Sequence, residues 1–127
     1  METNDPLIDE DFNQGLKKML SGNLKSSITF FTQVIQKNPN FAEGWNKRAT
    51  AYYLLGDFDK SMIDINETLK LEPRHFGAMD GLASILINFN ELKKAIFVYD
   101  KMLEIFPKNS AIAKKRSYIL KKLSQSI

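Results

Sequence analysis

AEGWNKRATAYYLLGDFDKSMIDINETLKLEP, residues 42–73, is the stretch that decides the fold. It reads as two amphipathic helices joined at Gly56-Asp57 and closed by Pro73. Trp45, Ala49, Tyr52 and Tyr53 recur at helical spacing in its first half, and Phe58, Met62, Ile65, Leu69 and Leu71 in its second. Glycine at the turn lets the chain leave the first helix in a left-handed conformation that other residues adopt at a cost. Proline ends the pair because it cannot continue a helix and biases the residue before it toward extended backbone.

Working outward, the same punctuation returns at a fixed step. Pro39, Pro73 and Pro107 are each 34 residues apart. The turns Gly22-Asn23-Leu24, Gly56-Asp57-Phe58 and Asn90-Glu91-Leu92 keep that step, as do the small residues Gly15, Ala49 and Ala83. A short helix pair cannot bury its apolar face alone, so a period of this kind marks stacked repeats, and 34 is the tetratricopeptide length. The central copy resembles that family: Trp45, Ala49, Tyr52, Gly56, Ile65 and Pro73 fall on its Trp, small, Tyr, Gly, large apolar and Pro sites. It departs at Arg48, where Leu is usual, and at Ser61 and Thr68, where Ala is usual. The third copy matches at Leu82, Ala83, Ala95, Tyr99 and Pro107, with Asn90 in place of Gly. The first matches at Gly15, Gly22, Phe31 and Pro39 and places Asp11, Gln14 and Lys18 on usually apolar sites. The wording of residues 42–78 also resembles short bacterial tetratricopeptide proteins of the alphaproteobacterial type.

The expected architecture is all-α. Helices are predicted near 9–20, 24–37, 41–54, 58–71, 75–88, 92–105 and 109–124. Asn40 with Glu43 suggests a capping box at the start of the third. The resemblance implies a right-handed superhelical stack of three helix-turn-helix units (about 8–41, 42–75 and 76–109) with a C-terminal capping helix. In that helix Ile112, Ile119, Leu120 and Leu123 are expected inward and the lysines outward. Residues 1–8 read as a flexible tail, and 9–125 as one domain, as the length of 127 residues suggests.

Composition narrows the function. The chain has no cysteine, which excludes disulfides, thiolate metal sites and cysteine nucleophiles. No apolar run approaches a bilayer span. A cytoplasmic or, after removal of a leader, periplasmic bacterial location is expected. The single histidine, His75, sits at a helix start and reads as a turn or capping residue. Carboxylates at Asp9-Glu10-Asp11 and Asp57-Phe58-Asp59 fall at a helix start and a turn, where the helix dipole favours acids. No catalytic constellation, metal set or phosphate loop stands out, so neither an enzyme nor a cofactor is expected. Net charge is +3, unevenly spread: residues 1–16 hold acids without Lys or Arg, and residues 107–127 hold Lys108, Lys114, Lys115, Arg116, Lys121 and Lys122 without an acid.

In the tetratricopeptide family the first helices of successive repeats line a concave surface that holds peptides. Carried onto this chain, those positions are Phe12, Leu16 and Met19 in the first repeat. The second supplies Glu43, Asn46, Lys47, Thr50 and Tyr53. The third supplies Gly77, Asp80, Gly81 and Ser84, and the cap helix Lys114, Lys115 and Tyr118. Gly77, Gly81 and Ser84 share one helix face, which suggests either a side-chain-poor trough or close helix packing. The Phe12–Leu16–Met19 stripe faces either a ligand or, if the helix is rotated, the core. Family members that clamp a chaperone's acidic C-terminal tail use two Lys, two Asn and one Arg. The corresponding sites here are Phe12, Leu16, Lys47, Gly77 and Gly81, which argues against that ligand. The expected role is a scaffold for a protein or peptide partner. The alternatives are head-to-tail self-association through the oppositely charged ends, and binding of nucleic acid or an anionic surface by the basic last helix.

Overall fold

The computed structural model describes residues 5–125, which form seven α-helices and no strand. They are α1 Pro6–Leu20, α2 Leu24–Lys37, α3 Ala42–Leu55, α4 Phe58–Leu71, α5 Phe76–Asn88, α6 Leu92–Ile105 and α7 Ser110–Gln125. The packing divides after Pro73 into two compact units. In the first, α1 packs on α2, α2 on α3 and α3 on α4; in the second, α5 packs on α6 and α6 on α7.

The repeated turns have a repeated physical cause. Gly22 and Gly56 adopt φ of +82° and +87°, and Asn90, which stands where the other copies have Gly, follows at +58°. Asparagine is among the few residues that tolerate this region. The next residue then starts the following helix: Asn23 and Asp57 accept side-chain hydrogen bonds from the Ser26 and Lys60 amides. At the other end of each pair, the pre-proline residues Asn38, Glu72 and Phe106 are pushed out of helical geometry, with φ of −146°, −135° and −127°. His75 caps α5, its Nδ1 accepting from the Ala78 amide at 3.0 Å, as its position at a helix start suggests.

Three expectations are corrected. Helix α1 begins at Pro6, inside the stretch read as a tail, because Asp5 caps it and Ile8 is buried against Phe12, Phe31 and Val34; residues 1–4 lie outside the described residues. The Asn40–Glu43 capping box does not form: Phe41 takes the N-cap position without a side-chain cap, and its ring packs against Phe12 with centroids 5.6 Å apart. Leu120 is 38% exposed rather than inward, so α7 buries Ile112 and Ile119 alone.

The large apolar residues in register, Phe31, Ile65 and Tyr99, are each almost wholly buried. In the first repeat their small counterpart is Gly15. A Cβ built there would lie 2.5 Å from the Phe31 ring, which is also held edge-on by Phe12 with centroids 5.8 Å apart. The ring has no room to retreat, so close approach of α1 to α2 depends on glycine. Overpacking in Gly15→Ala is expected to cost about 1–3 kcal/mol. Set against the roughly 1 kcal/mol that alanine gains in helix propensity, the expected net destabilisation is up to about 2 kcal/mol. Urea unfolding followed by circular dichroism measures the difference.

Candidate functional site

Helix α3 carries the candidate face. At 3.6 residues per turn, Glu43, Asn46, Lys47, Thr50 and Tyr53 fall on one side of it, and Arg48 falls on the opposite side. Asn46 is 8% exposed. Its side-chain amide makes no hydrogen bond among the described residues, where no side-chain nitrogen or oxygen is left both sealed from solvent and unsatisfied. The amide is thus surrounded by protein yet keeps its donor and acceptor for solvent or a ligand. Thr50 turns its hydroxyl onto the Asn46 carbonyl at 3.1 Å. Tyr53 stacks obliquely on Phe58 with centroids 5.3 Å apart, which fixes its ring at the end of the face.

The opposite side of α3 is anchored by a three-helix network. The Arg48 guanidinium donates from Nε and Nη2 to the two oxygens of Asp64 in α4, at 2.8 and 2.9 Å, and from Nη1 to Thr32 in α2, at 3.1 Å. Trp45 and Tyr52 flank it, with ring centroids 5.2 and 5.8 Å away. Burial pushes the Asp64 carboxyl above its ordinary value, against the opposing pull of Arg48. The hydrogen bond to Asp64 raises the Arg48 guanidinium further, so it stays charged. Arg48, noticed in the sequence as a departure from the usual Leu, thereby becomes the residue that fixes α3 between its two neighbours.

The other site residues separate into three groups. Of the two readings open for the first-repeat stripe, Phe12 takes the core one and leaves the group of ligand-facing candidates: it is 7% exposed and packs on Phe31 and Phe41, and Leu16 and Met19 lie half-buried against the same cluster. The stripe is core because α1 turns its apolar side onto α2 and Phe41. In the second unit Asp80 occupies the register position of Asn46, but Lys115 reaches from α7 to bind both its oxygens, at 3.1 and 3.2 Å. Tyr99, buried and near this carboxylate, is raised above its ordinary value by burial first and by Asp80 second. Ser84 directs its hydroxyl to the Asp80 carbonyl at 3.0 Å. Lys114 and Tyr118 stand exposed on α7, with the Lys122 ammonium 5.5 Å from the Tyr118 ring centroid. No signal in the sequence pairs Asp80 with Lys115, since they lie 35 residues apart on helices not consecutive in the chain. Among the described residues no group of three or more His, Cys, Asp or Glu is placed to hold a metal ion. No helix there is long and apolar enough to cross a membrane.

Tetratricopeptide repeat profiles match residues 42–75 and 77–109. A TPR repeat-containing protein of Rhizobium etli is 34% identical over 99 residues, which are 78% of this chain and 48% of that protein. Small glutamine-rich tetratricopeptide repeat-containing protein 2 of Saccharomyces cerevisiae is 28% identical over 116 residues, 90% of this chain and 34% of its own length. The chain thus spans about half the length of the first relative and about a third of the second. Among solved structures, the first TPR of Spaghetti (RPAP3), bound to the HSP90 peptide SRMEEVD, superposes with a TM-score of 0.87 at 20% identity, covering 96% of this chain and 99% of that one. The TPR2B domain of yeast Sti1 in its pHsp70 complex gives 0.81 at 22% identity, covering 97% and 100%. At such identities the likeness shows the fold.

The Arg48 network makes a stability prediction. Arg48→Leu, which restores the usual family residue, leaves Asp64 buried without its partner and is expected to cost about 3–5 kcal/mol at neutral pH. An acid whose pKa is raised by folding holds its proton more tightly folded than unfolded, so its contribution favours the fold at low pH and is lost as pH rises through the folded value. The deficit of Arg48→Leu should therefore shrink on acidification, as Asp64 takes up a proton. Arg48→Leu combined with Asp64→Ala should recover much of the loss at neutral pH. Denaturant titrations at two pH values test both statements.

Proposed function

The chain belongs to the tetratricopeptide repeat family, and from that premise we propose that it is a non-catalytic interaction module that holds a peptide or helix of a partner protein on the α3 face. The observation that carries this reading is Asn46: a residue more than nine-tenths covered by protein, whose side-chain amide has no internal hydrogen-bond partner among the described residues and keeps its polar atoms open to solvent. A peptide backbone offers the donor and acceptor that such an amide lacks. Lys47 and Thr50 lie beside it, and the Tyr53 ring supplies apolar contact with a polar tip. In the second unit, considered by itself, Asp80, Ser84, Lys114, Lys115 and Tyr118 are further candidate contact residues, with Lys115 and Asp80 satisfied by each other until a ligand intervenes. The partner in this reading is a protein rather than a nucleic acid.

Of the two structural neighbours, the Spaghetti (RPAP3) TPR is bound to an HSP90 peptide and the Sti1 TPR2B domain is in a pHsp70 complex. This chain is proposed not to share that specificity. Of the five sites that match the tail-clamping residues, Phe12 is core and Leu16 packs on the core, Gly77 and Gly81 carry no side chain, and Lys47 alone carries charge. Head-to-tail association through the acidic start is also disfavoured by the use of its acids inside the fold. Asp11 pairs with Lys37 at 2.6 Å, and Asp5 caps α1 through the Leu7 amide.

Two outcomes are expected. Peptides selected from a random library against the full chain should bind Asn46→Ala at least about ten-fold more weakly, roughly 1.4 kcal/mol, with an unchanged circular dichroism spectrum and melting temperature. Selected peptides indifferent to Asn46→Ala and to Tyr53→Ala would move the site away from α3. Separately, calorimetric titration with SRMEEVD should give no saturable binding up to about 1 mM; tight binding would overturn the assignment against a tail clamp.

A further inference from the structure

The 34-residue register carries past the third pair into α7, whose start at Ser110 follows those of α3 and α5 at Ala42 and Phe76. Arg116 is thus the counterpart, two steps on, of Arg48, and Asp100 the counterpart of Thr32. The backward half of the device is present: the Arg116 Nε donates to Asp100 in α6, as Arg48 donates to Thr32 in α2. The forward half has no partner among the described residues. Arg48 meets Asp64 of the following helix, whereas the two terminal nitrogens of Arg116 make no hydrogen bond among the described residues.

The surface beside Arg116 repeats the same comparison. On α3, Ala49 is buried because α4 lies against it, with the Ser61 hydroxyl on the Ala49 carbonyl at 2.7 Å. On α7, Ser117 is the counterpart of Ala49, and Ala113 and Leu120 take the places of the larger Trp45 and Tyr52; the three form one stripe and are all exposed, and Ser124 continues it. Small residues there leave space for another helix to come close. Charge selects which helix. Between Ser110 and Gln125 there are five basic residues and no acid, and Lys114 and Lys121 form no ion pair among the described residues. Pairing two copies of α7 would therefore bring like charges together.

We propose that the Ala113–Ser117–Leu120 face of α7, with Arg116 at its edge, docks an acidic amphipathic helix of a partner protein in the manner that α4 docks on α3. The recognised feature is a small residue followed three positions later by a carboxylate, the spacing of Ser61 and Asp64. The small residue sits over Ser117, and the carboxylate accepts from the terminal nitrogens of Arg116. This contact is separate from the α3 face and stands or falls independently of it.

The probe is a synthetic peptide of residues 57–72, acetylated and amidated, titrated into the ¹⁵N-labelled full chain. Saturable amide shifts centred on Ala113, Ser117 and Leu120, at peptide concentrations below about 1 mM, are expected. Asp64→Asn in the peptide should weaken the binding at least about five-fold. Ser117→Trp in the protein, an exposed position that leaves the core untouched, should abolish it. Absence of shifts on α7, shifts confined to α3, or binding indifferent to both substitutions would each overturn the proposal.

Discussion

A pair of fourteen-residue helices has too little apolar surface to close a core by itself, so each inner helix must be held on two sides. In the first unit α3 meets this requirement with unlike materials. Its small residues let the neighbours approach closely, Gly44 against α2 and Ala49 against α4. Arg48 then bridges both neighbours through a single guanidinium. A leucine at this position would bury more apolar surface but would set neither the register nor the separation of three helices. The bidentate bond to Asp64 does so because its geometry is planar and directional. Once α3 is fixed from behind, its front face is free to carry polar residues, and this is why Asn46 can be nearly covered yet remain unpaired.

Most of the fold was legible because its signals are local. Turn glycines, the αL asparagine at position 90 and the prolines act on backbone dihedrals within one or two residues, and the helix limits follow from them. What the sequence did not determine depends on distance. The rotation of α1 that buries Phe12 requires Phe41, which lies outside that helix and displaces the expected cap at Asn40. An apolar stripe looks the same in sequence whether it faces a ligand or a neighbouring aromatic cluster, so periodicity alone left Phe12, Leu16 and Met19 undecided. Similarly, the exposure of Leu120 depends on which residues lie opposite α7, a matter its own periodicity does not record.

The candidate site divides along the same line. Glu43, Asn46, Lys47, Thr50 and Tyr53 share a face as a consequence of helical geometry, and their spacing was sufficient to group them. The state of each polar group was not readable, because it depends on partners elsewhere in the fold. Asn46 and Asp80 occupy one register position in successive repeats, yet Asn46 is left unpaired and Asp80 is neutralised by Lys115. Within the second unit the pairing comes from α7: the long lysine stem of Lys115 reaches the Asp80 carboxylate on α5, a helix that is not its neighbour in the chain. The carboxylate and the ammonium are each ordinary surface residues of their own helices, and only the packing of α5, α6 and α7 brings them together. The chemistry of a polar position is therefore set by what another helix extends toward it, and helical spacing within one repeat carries no record of that.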